Sequence, residues 1–382
     1  MVDAQKLSPP VRVLYFSRSY TGHDRRFLAA LAGSPHEIFY LRLHDDAIRY
    51  ETRPVPNGIH DLPLLGSGQL IQTPEDWIRL VPALERHLQE IQPDIVHAGP
   101  IQSCALMTAL TGFQPLLAMS WGSDVLVDAG RDDFWNWMTR YALGHASMLV
   151  SDCTAVSERV KTLAQFDSTR IVQFPWGVDL ETFHPGPDTL NPFQIDGRQK
   201  GPILLCTRSW EPHYGVLFLL EAFRIARAVE PGLCMILVGD GSRRREIEAF
   251  VRTHHLESCV WMPGGISPEQ LPAYFRASDI YVSCAANDGS SISLLEAMAT
   301  GLPAIVTDRA SNREWVGDAN GRLAAFGDIA AVAAAIVNLA ALSPAERRRL
   351  GACSRALTEQ RANWKANFQD LLVAYEQIRM HP

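Results

Sequence analysis

The chain reads as an α/β protein made of two doubly wound Rossmann-like domains. Three observations predict this. Apolar runs of four to six residues alternate with helix-period patterns, as in a parallel sheet covered on both faces. The alternation occurs in two separate blocks. Between them lies a stretch dense in proline and glycine, 175–201, where a linker is expected. A chain of 382 residues suits two domains of roughly 100–200 residues each.

In the first block, strands are predicted over 11–16, 38–43, 94–97, 116–120 and 148–151. Helices fall over 25–32, 75–91, 103–110, 134–143 and 155–166. The second block repeats the scheme, with strands over 202–206, 234–238, 260–262, 280–283 and 304–307. Its helices are 215–229, 243–254, 268–277, 291–300 and 329–342. Helices over 344–359 and 364–378 close the chain. The last carries Phe368, Leu371, Leu372 and Tyr375 at helical spacing, so it should dock against a surface. In such sheets ligands bind beyond the carboxyl ends of the strands. Two such domains facing a cleft suit an enzyme that joins two substrates, or a hinged binding protein. The side chains have to decide.

Composition narrows the classes. Hydrophobic residues at 47% and charged residues at 20% allow a sizeable core. A net charge of -7 gives no global attraction to nucleic acid. The run Arg243, Arg244, Arg245 reads as the solvated start of a helix. Seven cysteines stand singly, several in apolar runs such as Leu204-Leu205-Cys206, as reduced buried thiols of a cytosolic protein do. The N-terminal stretch 1–10 lacks the apolar core of a signal peptide. No window approaches the roughly 20 apolar residues of a spanning helix. A cytoplasmic protein, at most peripheral to the membrane, is expected. The stripe Phe134, Trp137, Met138, Tyr141 could touch a lipid-linked ligand at a membrane surface. Core packing is the favoured reading of it. No His-x-His, HExxH or clustered Cys and His occurs, so no metal site is indicated. The P-loop and the Gly-x-Ser-x-Gly elbow are absent, and Gly239-x-Gly241 lacks the third glycine of a nicotinamide fingerprint.

The segment from Asn287 to Pro303 carries the most chemistry. Gly289, Ser290, Ser291 and Ile292 should open a helix, with free backbone N–H groups beyond the strand end. Such an N-terminus attracts phosphate by hydrogen bonding and by its dipole. Glu296 follows within two turns, among Leu294, Leu295, Ala297 and Met298. A carboxylate there can accept two hydrogen bonds from a vicinal diol such as ribose presents. Asp288 could do the same for a sugar ring, or Asp288 or Ser290 could cap the helix. Capping does not account for Glu296.

This segment resembles the acidic pair, with seven intervening residues, of the retaining glycosyltransferases of family 4, which have the GT-B fold. The resemblance extends over about 300 residues, in order. Pro93-Asp94-Ile95-Val96-His97-Ala98 resembles the family's strand before its acceptor-side loop, and Trp121-Gly122-Ser123-Asp124 its next strand-end motif. The run from Pro175 to Phe183 resembles the interdomain motif, Val238-Gly239-Asp240-Gly241 the donor-domain turn, and Ala277 to Ser283 the strand leading to the acidic pair. Asp-x-Asp, the metal anchor of the other main glycosyltransferase fold, is absent.

The resemblance implies an N-terminal acceptor-binding domain over 1–182 and a nucleotide-sugar donor domain over 183–360. It also implies a C-terminal helix over 361–382 that returns to the first domain. Arg208, Asp288 and Glu296 become the catalytic candidates. Glu296 should hold the donor ribose, Asp288 the transferred sugar, and Arg208 the donor phosphates through its forked guanidinium. Gly22, Tyr214, Gly239, Gly241, Gly289, Ser290, Ser291 and Ile292 join the donor site. His23, Asp24, His97, Trp121 and Asp124 are acceptor-side candidates. His23 and Asp24 could instead cap their helix, and Asp124 could be turn-forming. Partners implied are a nucleotide-sugar donor and a sugar, lipid-linked or small-molecule acceptor, with no metal or other cofactor and no nucleic acid. Tyr214 stands where the family usually has Lys, Asp288 where Glu is more frequent, Trp121 where His is frequent, and Trp176 where Asn is usual. A phenol can donate one hydrogen bond but cannot neutralise phosphate. The alternatives are a sugar-nucleotide epimerase or phosphorylase on the same fold, or a non-catalytic binding protein.

Overall fold

The computed structural model describes residues 10–43, 51–63, 65–66, 71, 73–187 and 201–380. Part of the expected linker, 188–200, lies outside the described residues. So do residues 45–50, 64, 67–70 and 72 of the segment 45–72, whose sequence gives no readable code for the acceptor.

The chain divides into two compact units, Met1–Phe174 with Phe368–Pro382, and Pro175–Asn367. The division falls after Phe174 rather than after Thr182. The returning C-terminal segment begins at Phe368 rather than at residue 361.

Among the described residues, the first unit holds seven strands: β1 (Arg12–Ser17), β2 (Glu37–Arg42), β3 (Ile59–Asp61), β4 (Ile95–Ala98), β5 (Leu116–Met119), β6 (Met148–Ser151) and β7 (Ile171–Gln173). Their order is β3-β2-β1-β4-β5-β6-β7, with every pairing parallel. The second unit holds β8 (Ile203–Cys206), β9 (Cys234–Val238), β10 (Val260–Gly264), β11 (Ile280–Ser283), β12 (Ala304–Thr307) and β13 (Gly321–Ala324). Their order is β10-β9-β8-β11-β12-β13, again all parallel. Central strands such as Ile-Leu-Leu-Cys in β8 and Ile-Tyr-Val-Ser in β11 are buried along their whole length. That is why they read as continuous apolar runs rather than alternating ones. The strand order reverses between β1 and β4 in one sheet and between β8 and β11 in the other. A doubly wound sheet opens its ligand crevice at that switch point.

Several expectations are corrected. The helix predicted over 75–91 is two, Pro74–Arg79 and Val81–Ile91, because Pro82 has no N–H and its ring crowds the preceding turn. The short strands β3, β7 and β13 were not predicted. The aromatic stripe is only partly core: Met138 is buried, but Phe134 and Trp137 are 42% and 45% exposed, with rings stacked 5.8 Å apart. Six cysteines are free and buried, while Cys353 is exposed. The closing helix Trp364–Met380 buries Phe368, Leu371, Tyr375 and Ile378. No single helix among the described residues is long and apolar enough to cross a membrane.

Candidate active site

The strongest constellation lies in the second unit at its switch point. Two loops build it: 207–215 after β8 and 284–291 after β11. They are laced together by main-chain contact. The Ala286 N–H donates to the His213 carbonyl at 2.8 Å. Gly215 has φ +65, and a Cβ there would lie 2.4 Å from the Cys284 carbonyl oxygen, so only glycine fits. Gly239 and Gly241 press the turn after β9 against the back of the first loop. A Cβ on Gly239 would lie 2.6 Å from the Arg208 carbonyl oxygen, and one on Gly241 2.7 Å from that of Trp210. These glycines set the position of the Arg208 main chain. A cavity of about 170 Å³ lies beside the first loop, lined by residues including Trp210, Glu211, Gly215, Phe218 and Arg243. Ligand pockets usually run from about 300 Å³, so this one is small for a whole nucleotide-sugar.

Arg208 is the hub. Its side chain is 9% exposed, and its guanidinium hydrogen-bonds three side chains. Nη2 donates to Asp288 Oδ1 at 2.8 Å, and Nη1 donates to Ser291 Oγ at 2.8 Å and Ser293 Oγ at 3.0 Å. Its Nε is buried with no hydrogen-bond partner. The Tyr214 ring centroid lies 4.1 Å from the guanidinium carbon, a cation–π contact. Tyr214 therefore presents its ring face to the arginine. Burial pushes the Arg208 pKa down, but the charges of Asp288, Tyr281 and Tyr214 outweigh it and hold the group above its usual range. Tyr281, on β11, hydrogen-bonds Ser293 at 2.8 Å, and burial pushes its phenol up. The Asp288 carbonyl accepts from Ser311 Oγ at 2.7 Å, which anchors the loop from β12's side.

The helix that follows runs Ile292–Ala299. Ser291 is its N-cap residue, while Gly289 and Ser290 belong to the loop before it. Ser291 makes no capping hydrogen bond, because its hydroxyl serves Arg208. The helix start thus keeps backbone N–H groups that no side chain of its own cap satisfies. Glu296 lies in the second turn and is buried, at 8% exposure. The far end of this helix is held from behind by helix Pro344–Arg361. Arg355 Nη1 donates to the carbonyls of Ala299 and Phe183 at 2.8 and 2.7 Å. A Cβ on Gly351 would lie 1.8 Å from the Gly301 carbonyl oxygen.

In the first unit the structure answers differently. Asp24 is buried at the third position of helix Gly22–Ala32 and completes a capping box with Thr21. Burial pushes its pKa up to about 6 against hydrogen bonds from Thr21, Ser17 and Tyr15. Capping is therefore its structural role. Gly22 is merely the exposed first residue of that helix. Asp124 is buried and accepts from the N–H groups of Ile101, Trp121 and Val125 and from Ser120 Oγ. It organises its own turn, as the turn-forming alternative holds. His97, an acceptor-side candidate, is fully buried in β4, with Nδ1 2.8 Å from the Tyr375 hydroxyl. Burial pushes its pKa down to about 3. His23 and Trp121 are half-buried, with rings 5.5 Å apart, edge to face.

Sequence reasoning missed Ser293, Tyr281 and Ser311. The signal for Ser293 was a hydroxyl in the first turn of an otherwise apolar helix. Tyr281 and Ser311 gave none, since their roles depend on chain-distant partners. Among the described residues, no group of three or more His, Cys, Asp or Glu is placed to hold a metal ion.

The fold and this constellation define a glycosyltransferase-like class, and comparison with known proteins agrees. The family model described as glycosyl transferase 4-like matches residues 12–153, and glycosyl transferases group 1 matches residues 188–356. The chain belongs to the family 4-type glycosyltransferases of the GT-B fold. It is similar to the GDP-mannose-dependent alpha-(1-6)-phosphatidylinositol monomannoside mannosyltransferase of Mycolicibacterium smegmatis, 25% identical over 56% of this chain and 58% of that protein. The chain spans 47–61% of the length of the curated relatives it matches first. Among solved structures, sucrose-phosphate synthase from Thermosynechococcus elongatus has a TM-score of 0.79 at 20% identity, over 97% of this chain and 100% of that one. Anabaena HepE with UDP-glucose has a TM-score of 0.76 at 18% identity, over 96% of this chain and 100% of that one. At these identities the structures share the fold.

Proposed function

We propose that this protein transfers a sugar from a nucleoside diphosphate sugar to an acceptor hydroxyl, with retention of configuration. The observation that carries the reading is the buried Arg208 beside Asp288, Ser291 and Ser293, one turn from Glu296, at the switch point of the second sheet. Glu296 takes the ribose diol, Arg208 and the helix start stabilise the departing diphosphate, and Asp288 faces the sugar. In the step, the bond from the anomeric carbon to the diphosphate oxygen breaks. A bond to the acceptor oxygen forms on the same face, and the acceptor proton passes to a phosphate oxygen of the leaving group. The reaction needs charge stabilisation and positioning more than a covalent nucleophile. No resident metal takes part. The acceptor is a sugar, a lipid-linked sugar or a small molecule, and the work is done in the cytoplasm or at the inner face of the membrane.

A relative named for GDP-mannose and a structure with UDP-glucose make these two donors the first to assay. Turnover with one of them, insensitive to EDTA, is expected, with the product anomer matching the donor by NMR. An inverted anomer overturns retention. Binding without turnover across a panel of acceptors favours a non-catalytic binding protein. Glu296→Ala should lower kcat/KM on the order of a hundredfold while the melting temperature stays within a few degrees.

A further inference from the structure

Resting on that reading of the site, we propose that Asp288 makes the protein discriminate between the intact donor and the free nucleoside diphosphate left after transfer. Arg208 should be the cation that meets the diphosphate, yet both its Nη atoms are already engaged. Nη1 is held by two serine hydroxyls, which are neutral and carry no compensating charge. Nη2 is held by the Asp288 carboxylate, 2.8 Å away, the one anion in the cluster. The Tyr214 ring covers a face of the guanidinium, and Nε is buried. A phosphate brought to this cation meets a carboxylate that already neutralises it, and the two anions compete for Nη2.

Asp288 is built to give up Nη2. Its side chain is 18% exposed against 9% for Arg208, and it sits in the loop before the helix rather than on it. The main chain stays in place, because Ser311 Oγ holds the Asp288 carbonyl. A turn of the side chain is enough. The exchange leaves Arg208 paired, with a phosphate in place of a carboxylate, but it takes a stabilising partner from Asp288. Free nucleoside diphosphate offers the displaced carboxylate nothing in return. A donor that still carries its sugar offers hydroxyl groups, which donate to a carboxylate. The internal ion pair therefore penalises product nucleotide and spares donor. Asp288 is a specificity-determining residue as well as a sugar contact.

The test compares UDP with UDP-glucose, and GDP with GDP-mannose, by calorimetry on the full chain, wild type against Asp288→Asn and Asp288→Ala. The free nucleotide that binds should bind on the order of tenfold tighter to both variants. Its sugar-bearing counterpart should bind equally or more weakly, so the preference for donor collapses. Unchanged or weaker nucleotide binding in folded variants overturns the proposal while leaving the donor site standing. Wild type that binds no nucleotide in either pair overturns the functional reading and this proposal with it. Should both variants fail to fold, a crystal structure of wild type with the nucleotide decides. The proposal requires the 2.8 Å Arg208–Asp288 pair to be broken there, and an intact pair with phosphate bound overturns it.

Discussion

The loops at the carboxyl ends of the two sheets hold similar polar residues and use them in opposite ways. In the first unit, Asp124 accepts mostly backbone N–H groups, Asp24 accepts the Thr21 N–H with the Thr21 and Tyr15 hydroxyls to close its own helix cap, and His97 meets the Tyr375 hydroxyl in the core. In the second, Arg208, Asp288, Ser291 and Ser293 are spent on one another. Side chain to side chain bonds are the minority class in proteins, roughly 10–15% of the total, so such a knot is unusual. Backbone partners cannot leave without orphaning a buried donor, whereas side-chain partners can be exchanged for a ligand.

The sharpest way to break this contrast is to remove a polar residue from the first unit. Asp124→Ala should orphan the N–H groups of Ile101 and Trp121 and lower stability by about 3 kcal/mol, read by denaturant unfolding. Nucleotide affinity of the folded fraction should stay at the wild-type value. A stable variant that loses acceptor turnover would instead make Asp124 a substrate residue.

A second test uses pH. The fold lowers His97 to about 3 from an unfolded value near 6.5, so its contribution is present above pH 6.5 and lost as pH falls toward 3. The fold raises Asp24 to about 6 from near 3.9, so its contribution is present below about pH 4 and lost as pH rises through 6. The two slopes oppose each other between about pH 4 and 6, each at most about 1.4 kcal/mol per pH unit. His97→Gln should flatten the acid-side loss of stability, and Asp24→Asn should steepen it. Parallel curves for both variants would remove these groups from the acid response.

The smallest expected effect separates the ring of Tyr214 from its hydroxyl. Tyr214→Phe keeps the face over Arg208 and should leave nucleotide affinity within about twofold. Tyr214→Leu should weaken it several-fold, by about 1 kcal/mol. Equal losses in both would show that the phenol hydroxyl meets the phosphate.

How much of this was legible follows the same division. Strands β8, β9, β11 and β12 read within one residue because both of their faces are buried, which leaves a plain apolar run. Strands β3 (Ile-His-Asp) and β13 (Gly-Arg-Leu-Ala) are short and polar at the sheet edges, with no such run to find. Asp288 and Ser291 stood out by residue type at the predicted helix start, and Arg208 through the family resemblance. That Arg208 holds Asp288 was not, since 80 residues separate them in sequence. Asp24, Asp124 and His97 looked alike as candidates because sequence shows a side chain and not its partner.

The near contact of Gly351 with Gly301 has a consequence for how such a site can diversify. Helix Ile292–Ala299 is referenced to its unit there through main-chain atoms, with no side chain between to be lengthened, trimmed or repacked. The floor under Glu296 is therefore a constant of the fold. On this side of the site, variation is left to those positions of the loops 207–215 and 284–291 that neither the Gly215 contact nor the Arg208 hydrogen bonds fix.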